Sequence, residues 1–273
     1  MKILSWNVAG IRACIKKGGL DFLAEGQYDI VCFQETKAEE KQVKLPEILD
    51  KMYPSRFWNS TDGVTQRKGL SGTSIWSKTP PLNVIPTMPL DTEGRITALE
   101  FEKFNIVTVY TPNSQSPTSE RFLFRVGTWD TAFRSYVEGL NKIKPTILCG
   151  DFNVAIEEID VHSPDKSRNV SAGFLDEERA EFSKLIEAGY VDTFRLFCKE
   201  PNQYTYWDQK IPAFRKHNKG WRIDYFLVPP ILKSSTKGAG ILPEQLGSDH
   251  CPTTLELEFK KKPKLKIVEK LEE

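Results

Sequence analysis

At 273 residues, with 39% hydrophobic and 27% charged residues, the chain has an ordinary globular composition and is long enough to bury a substantial core. The formal net charge is +1, so no overall field announces a nucleic-acid partner, and any DNA-binding surface must be a local basic face. No apolar run approaches the ~20 residues that cross a bilayer. The five cysteines (Cys14, Cys32, Cys149, Cys198 and Cys251) have no metal-type spacing, which points to reduced thiols in an intracellular protein, nucleus or cytoplasm undecided.

In chain order, Ile3–Trp6 is the first short apolar run, and it turns polar too soon to be part of a signal peptide. Ile30–Phe33 follows, then a helix expected over Glu39–Lys51. Thr73–Trp76, Ile96–Phe101 and Ile106–Thr111 read as further strands, bounded by turn residues. A long helix starts at Thr118 or Ser119, either able to cap it, with Phe122, Val126, Trp129, Phe133, Val137 and Leu140 at helical spacing. Thr146–Cys149 is a strand, and Asp176–Glu187 a helix stopped by Gly189. Ile223–Val228 and the alternating Thr253–Phe259 close the series. Helices do not alternate regularly with strands, which argues for two packed sheets with helices outside them. Residues 1–259 are expected to form one catalytic domain, and 260–273, with six lysines and three glutamates, a solvated tail.

Polar residues recur where the apolar runs end. Asn7 ends the first, Glu35 follows the second, Asp151 and Asn153 follow Thr146–Cys149, and Asp249 and His250 precede the last. Any one of these could be a turn former. Together they suit a hard divalent cation, which takes oxygen ligands and keeps several waters. The residues alone therefore reach a hydrolytic metal site and no further. Phosphate-loop, dinucleotide and Gly-x-Ser-x-Gly fingerprints are absent.

The segments Ser5–Arg12, Gln34–Lys37, Tyr110–Asn113, Gly150–Asn153, Gly220–Phe226 and Gly247–Pro252 resemble those of exonuclease III-type abasic-site endonucleases, in the same order along the chain. The resemblance implies an α/β fold: a four-layered α/β sandwich of two mainly antiparallel sheets flanked by helices. It implies a Mg²⁺-dependent hydrolase, with Mn²⁺ as a substitute, that acts as a monomer on double-stranded DNA containing abasic sites. It incises 5′ to the lesion in base excision repair and can carry 3′–5′ exonuclease and 3′-phosphodiesterase activity.

By resemblance, Asn7, Glu35, Asp151, Asn153 and Asp249 belong to the metal site, with Glu35 the main ligand. Asp151 would deprotonate or orient the attacking water, and Asn153 would donate to charge building on the phosphate. Asp224 would orient His250, whose role as base or phosphate clamp stays open, and Tyr110 would meet the phosphate or the leaving group. Arg12, Ala13, Lys17, Gly69 and Leu70 would grip the backbone, and Asn113 and Asn169 the phosphate region. Tyr206, Trp221 and Ile223 would wall a recess for the extrahelical sugar. The loop Asp208–Lys219, with Lys210, Arg215, Lys216 and Lys219, would be a basic flap. Ala9 departs from the family pattern, which usually has Asp or Asn there. A phosphatase, sphingomyelinase or deadenylase of the same superfamily is opposed by Tyr110–Asn113 and Gly220–Arg222; a silent DNA-binding scaffold is opposed by the complete polar set.

Overall fold

The computed structural model describes residues 1–259 apart from 62, 64, 65 and 212, so the tail expected over 260–273 lies outside the described residues. The twelve strands among them are β1 (Lys2–Asn7), β2 (Ile30–Gln34), β3 (Ser55–Asn59), β4 (Thr73–Ser77), β5 (Asn83–Ile85), β6 (Ile96–Glu100), β7 (Asn105–Tyr110), β8 (Thr146–Asp151), β9 (Val191–Asp192), β10 (Asp224–Val228), β11 (Thr236–Ile241) and β12 (Thr253–Leu257). They form two six-stranded sheets, ordered β11-β12-β1-β2-β4-β3 and β5-β6-β7-β8-β10-β9. Each sheet has one parallel pairing, β1 with β2 and β7 with β8, and is otherwise antiparallel.

The central strands read as continuous apolar runs because both of their faces are buried. In β1 and β2, Ile3, Ile30 and Cys32 point into the layer between the sheets, beside Ile106, Ile147, Cys149, Phe226 and Leu255. Their neighbours Leu4, Trp6, Val31 and Phe33 face the opposite way, towards α1 (Ile11–Lys16) and α2 (Glu47–Met52). On the other sheet, Val107, Val109, Leu148 and Tyr225 pack outward against residues of α4 (Asp130–Ile143) and α6 (Asp176–Glu187). Helix, sheet, sheet, helix is the resulting order of layers. At the sheet centre Gly150 (φ +131°) lets β8 close on β7; a Cβ there would lie 2.1 Å from the Val109 carbonyl oxygen.

Other helices are short: α3 (Glu120–Phe124), α5 (Pro164–Ser167), α7 (Thr193–Phe197) and α8 (Ala213–Lys216). The helix expected from Thr118 or Ser119 is capped by Ser119, whose Oγ accepts from Phe122 N at 3.0 Å. It runs through α3 and α4, joined by a π-helical turn over Arg125–Trp129. The helix expected over Glu39–Lys51 is not continuous. A 3₁₀ turn at Glu40–Gln42 is separated from α2 by Pro46, which lacks an N–H and disfavours helical backbone at Leu45. All five cysteines are free, and all but the half-buried Cys198 are buried.

Candidate active site

Strand register gathers the polar residues at one end of the sandwich. Tyr110 pairs with Asp151 across β7 and β8, and Asp224 pairs with Asp151 across β10 and β8. Asn7 ends β1 beside Gln34, one residue before Glu35. The two sheets are tied together there, because Asn7 Nδ2 donates to Asp151 Oδ2 at 2.8 Å. Below this, Gln34 Nε2 donates to Ser5 Oγ (2.9 Å) and Thr108 Oγ1 (2.7 Å), a buried polar seam beneath the site.

Above the seam opens a cavity of about 550 Å³. Glu35, Tyr110, Asn113, Asp151, Asn153, Asp249 and His250 line one part of it, and Tyr206, Trp221 and Ile223 another. Asn7 lies behind the lining. It is 0% exposed, and its Oδ1 accepts from Ala9 N at 3.0 Å while its Nδ2 holds Asp151, so both amide atoms are occupied by protein. Asn153 Nδ2 donates to Thr111 O (2.9 Å), and its Oδ1 accepts from Asn113 Nδ2 (2.9 Å). Glu35 Oε1 lies 2.7 Å from Lys37 Nζ. Four non-glycine residues at this end have left-handed backbone: Ala9 (φ 47°), Glu35 (φ 55°), Lys37 (φ 52°) and Asn153 (φ 49°). Strain of this kind gathers where surrounding structure fixes functional side chains.

His250 Nδ1 lies 2.8 Å from Asp224 Oδ2, and its Nε2 lies 3.8 Å from Asp151 Oδ2. Burial disfavours the imidazolium, but the Asp224 and Asp151 carboxylates more than offset it and hold the ring protonated. Asp151 is pushed up to about 7, by burial first, opposed by His250 and reinforced by Asp224. A carboxyl raised in this direction holds a proton more readily than a free one, which suits it to handling a water proton. Tyr110 is raised by burial and by Glu35, so its hydroxyl stays protonated.

The sequence reading missed Thr205, which organises this pair. Its Oγ1 donates to Asp224 Oδ2 (2.6 Å) and accepts from the backbone N–H groups of Ile223 (3.1 Å) and Asp224 (3.2 Å). It also missed Arg95, whose guanidinium lies 4.6 Å over the Tyr110 ring and donates to Tyr110 O at 3.0 Å. Neither carries a sequence signal beyond its place beside an aromatic or acidic motif.

The oxygen donors facing the cavity are chemically right for a hard cation. Asp151, Asp224 and His250 also lie within 4.8 Å of one another as a candidate ligand group. Within that trio His250 is hydrogen-bonded to Asp224 and 3.8 Å from Asp151, and a protonated ring cannot ligate a cation, so the donors left for one are the cavity-lining carboxylates Glu35, Asp151 and Asp249.

The remaining expected contacts divide. Arg12, Gly69 and Leu70 line a second cleft of about 110 Å³ together with Lys37 and Lys68. Ala13 and Lys17 are exposed on and just after α1. Asn169 does not face the cavity: its side chain exchanges hydrogen bonds with Asp176, at 2.8 Å each way, at the start of α6. Of the expected flap, Asp208, Phe214 and Lys219 line the cavity. Arg215 is instead bound to the carbonyls of Pro243, Gln245 and Ser248 (2.7, 2.7 and 2.8 Å), which ties the flap to the loop before Asp249. Trp207 is core, packed with Tyr204 and Cys251.

Residues 4–250 match the model of the Endonuclease/Exonuclease/phosphatase family. The chain belongs to that family. An exodeoxyribonuclease of Bacillus subtilis is 44% identical over 93% of this chain and 98% of its own length. The DNA repair nuclease APEX1 of Danio rerio is 43% identical over 93% of this chain and 81% of its own. Among solved structures, an AP endonuclease from Archaeoglobus fulgidus superposes with a TM-score of 0.83 at 26% identity, covering 95% of this chain and all of that one. A 3′ phosphatase from Neisseria, bound to product DNA hairpin, does so with 0.83 at 25% identity, with the same coverage. Within the family, these matches put the chain among the exonuclease III-type nucleases, hydrolases with the expected four-layered sandwich.

Proposed function

We propose that this enzyme is a Mg²⁺-dependent endonuclease that hydrolyses the phosphodiester 5′ to an abasic site, leaving a 3′-hydroxyl and a 5′-deoxyribose phosphate. The observation that carries this reading is the shared cavity: oxygen donors and the Asp224–His250 pair at one side, apolar walls at the other. Tyr206, Trp221 and Ile223 join Ala155, Val161 and Phe174 in one apolar cluster. A deoxyribose without its base can enter such a recess, whereas a full nucleotide is penalised by size. The relatives named exodeoxyribonuclease and 3′ phosphatase support a second use of the same site on 3′ ends.

Glu35 and Asp249 would hold the cation, with Asp151 at its edge. A divalent cation there would neutralise charge on the scissile phosphate and on the departing 3′-oxygen. Asp151, fixed by Asn7, would take the proton of the attacking water. Asn153 and the protonated His250 would donate to the phosphate oxygens as negative charge grows. Asp224 and Thr205 would keep the imidazole turned towards them. The Tyr110 hydroxyl would stand by the phosphate. The cleft at Arg12, Gly69 and Leu70 would take the DNA backbone, read by charge and shape. Every residue of this scheme lies on one chain, as action by a monomer would require, and its free thiols suit an intracellular setting.

The test is a metal titration of nicking on a duplex with one tetrahydrofuran residue. Glu35→Ala should demand much more Mg²⁺ or Mn²⁺ than wild type. Superimposable curves would remove Glu35 from the cation site.

A further inference from the structure

Two charged side chains that touch no reacting atom are buried directly behind the site. Arg125 opens the π-helical turn between α3 and α4 and is 1% exposed. Its Nη1 donates to Asn153 O (2.7 Å) and to Glu178 Oε1 (3.0 Å), and its Nη2 donates to Phe152 O (2.9 Å). Glu178, 0% exposed near the start of α6, turns Oε2 to the N–H groups of Gly173 (2.6 Å) and Leu175 (3.2 Å). A chain of hydrogen bonds thus runs from the backbone of Asn153, through two buried charges, to the backbone of Gly173.

Both ends of that chain have left-handed backbone beside the cavity. Asn153 has φ 49° and lines the cavity. Gly173 has φ +89° and lines the cavity, and a Cβ there would lie 3.2 Å from Asn153 O and 3.3 Å from the Trp221 ring. Capping the helix needs only the bond to Leu175 N. A buried carboxylate paired with a buried guanidinium is costly to desolvate, and the cost is offset only by close pairing and further hydrogen bonds to both groups. Here the further bonds reach the left-handed Asn153 and Gly173 at the two sides of the cavity, as well as the neighbouring Phe152 carbonyl.

Resting on the reading of this cavity as an abasic-nuclease site, we infer that Arg125 and Glu178 are positioning residues: a clamp that sets the spacing between the phosphate-facing Asn153 and the Gly173–Trp221 wall of the sugar recess. Cleavage of a flipped nucleotide needs the phosphate and the sugar engaged in one register, and this clamp fixes that register from behind. It couples selectivity to turnover without either residue meeting DNA.

The experiment compares wild type with Glu178→Gln, Arg125→Lys, Gly173→Ala and the Glu178→Gln/Gly173→Ala double variant, well below their melting temperatures. Glu178→Gln keeps the volume but cannot accept from Arg125 and from both N–H groups at once. Its kcat on the tetrahydrofuran duplex should fall ~10- to 100-fold, as small misplacements of reacting groups do. The ratio of kcat/KM for abasic over intact duplex should fall with it. Gly173→Ala, which pushes on the same contact from the cavity side, should do likewise, and the double variant should lose less than the product of the two single losses. A folded Glu178→Gln enzyme with wild-type kcat and selectivity overturns the clamp, as does a fully multiplicative double variant. A fall in melting temperature alone, with kinetics unchanged, also overturns it. Where Glu178→Gln does not fold, Arg125→Lys and Gly173→Ala are read by the same criteria. A wild type that leaves the abasic duplex intact refutes the function proposed for the site; an active wild type with unchanged variants refutes only the clamp.

Discussion

Truncating Trp221 separates recognition from chemistry. Its side chain is half-buried and packs edge-on against Phe174, with ring centroids 6.1 Å apart. Its backbone exchanges two 2.9 Å hydrogen bonds with Tyr206, which Trp221→Ala leaves in place. A fully buried tryptophan costs ~3–5 kcal/mol on truncation, so about 2 kcal/mol is expected from a half-buried one. That lowers the melting temperature by about 4–8 °C in a protein of this size, and the enzyme stays folded. Stacking values suggest a loss of ~1–3 kcal/mol in affinity for the abasic duplex, about 5- to 150-fold. Asp151, Asp224 and His250 sit on β8, β10 and the loop before β12, held by bonds that do not involve the indole, so cleavage should persist. The assay is kcat/KM on an abasic duplex divided by that on an intact duplex, with melting temperature measured in parallel. A fall in melting temperature with an unchanged ratio would refute the recess and make Trp221 ordinary packing.

Asp151→Asn should lose ~10²–10⁴-fold or more in rate while still binding the abasic duplex, because the variant keeps the shape but removes the proton acceptor and its charge; lost binding in a gel-shift assay would assign Asp151 a structural role instead. Ala9→Asp restores a carboxylate near Glu35 at a left-handed position (φ 47°) that Asp tolerates better than Ala, so the metal midpoint should fall without loss of stability. An unchanged midpoint would make Ala9 a neutral departure. Beside the site, burial acts to raise the Glu93 carboxyl, but Arg121 and Arg95 overcome it and hold it at about 2. Because the folded value is depressed below the ordinary 4.5, the stability it contributes is present above pH 4.5 and is lost as pH falls towards 2. The melting-temperature gap between wild type and Glu93→Gln should therefore narrow over that interval; a gap that stays constant would contradict the ion pairs as its source.

What the sequence made legible follows from periodicity and position. Strands buried on both faces stand out as unbroken β-branched runs, and the last strand alternates, with Leu255 and Leu257 inward and Glu256 outward. The four strands it missed lie at sheet edges. β3 keeps Arg56 and Trp58 half-exposed, β11 is interrupted by Gly238 and Gly240, and β5 and β9 hold only three and two residues. The polar set at strand ends was visible because strand ends converge. The partners behind it were not: Arg125 meets Glu178 across 53 residues, and Arg222 meets Asp160 across 62. Arg222, read within a substrate motif, is 0% exposed and bound to Asp160 and Asp192 instead. Single buried charges leave no periodic trace, so only the fold can pair them.

The central claim is a metal-dependent hydrolytic cut on the 5′ side of a baseless sugar. It is tested most directly by end-group analysis of a duplex with one reduced abasic residue, labelled on each side and incubated with Mg²⁺ or with EDTA. The predicted result is one incision in Mg²⁺ alone, giving a 3′-hydroxyl that a polymerase extends and a 5′ fragment end that keeps the sugar phosphate. Incision that persists in EDTA, or that falls on the 3′ side of the lesion, would contradict it.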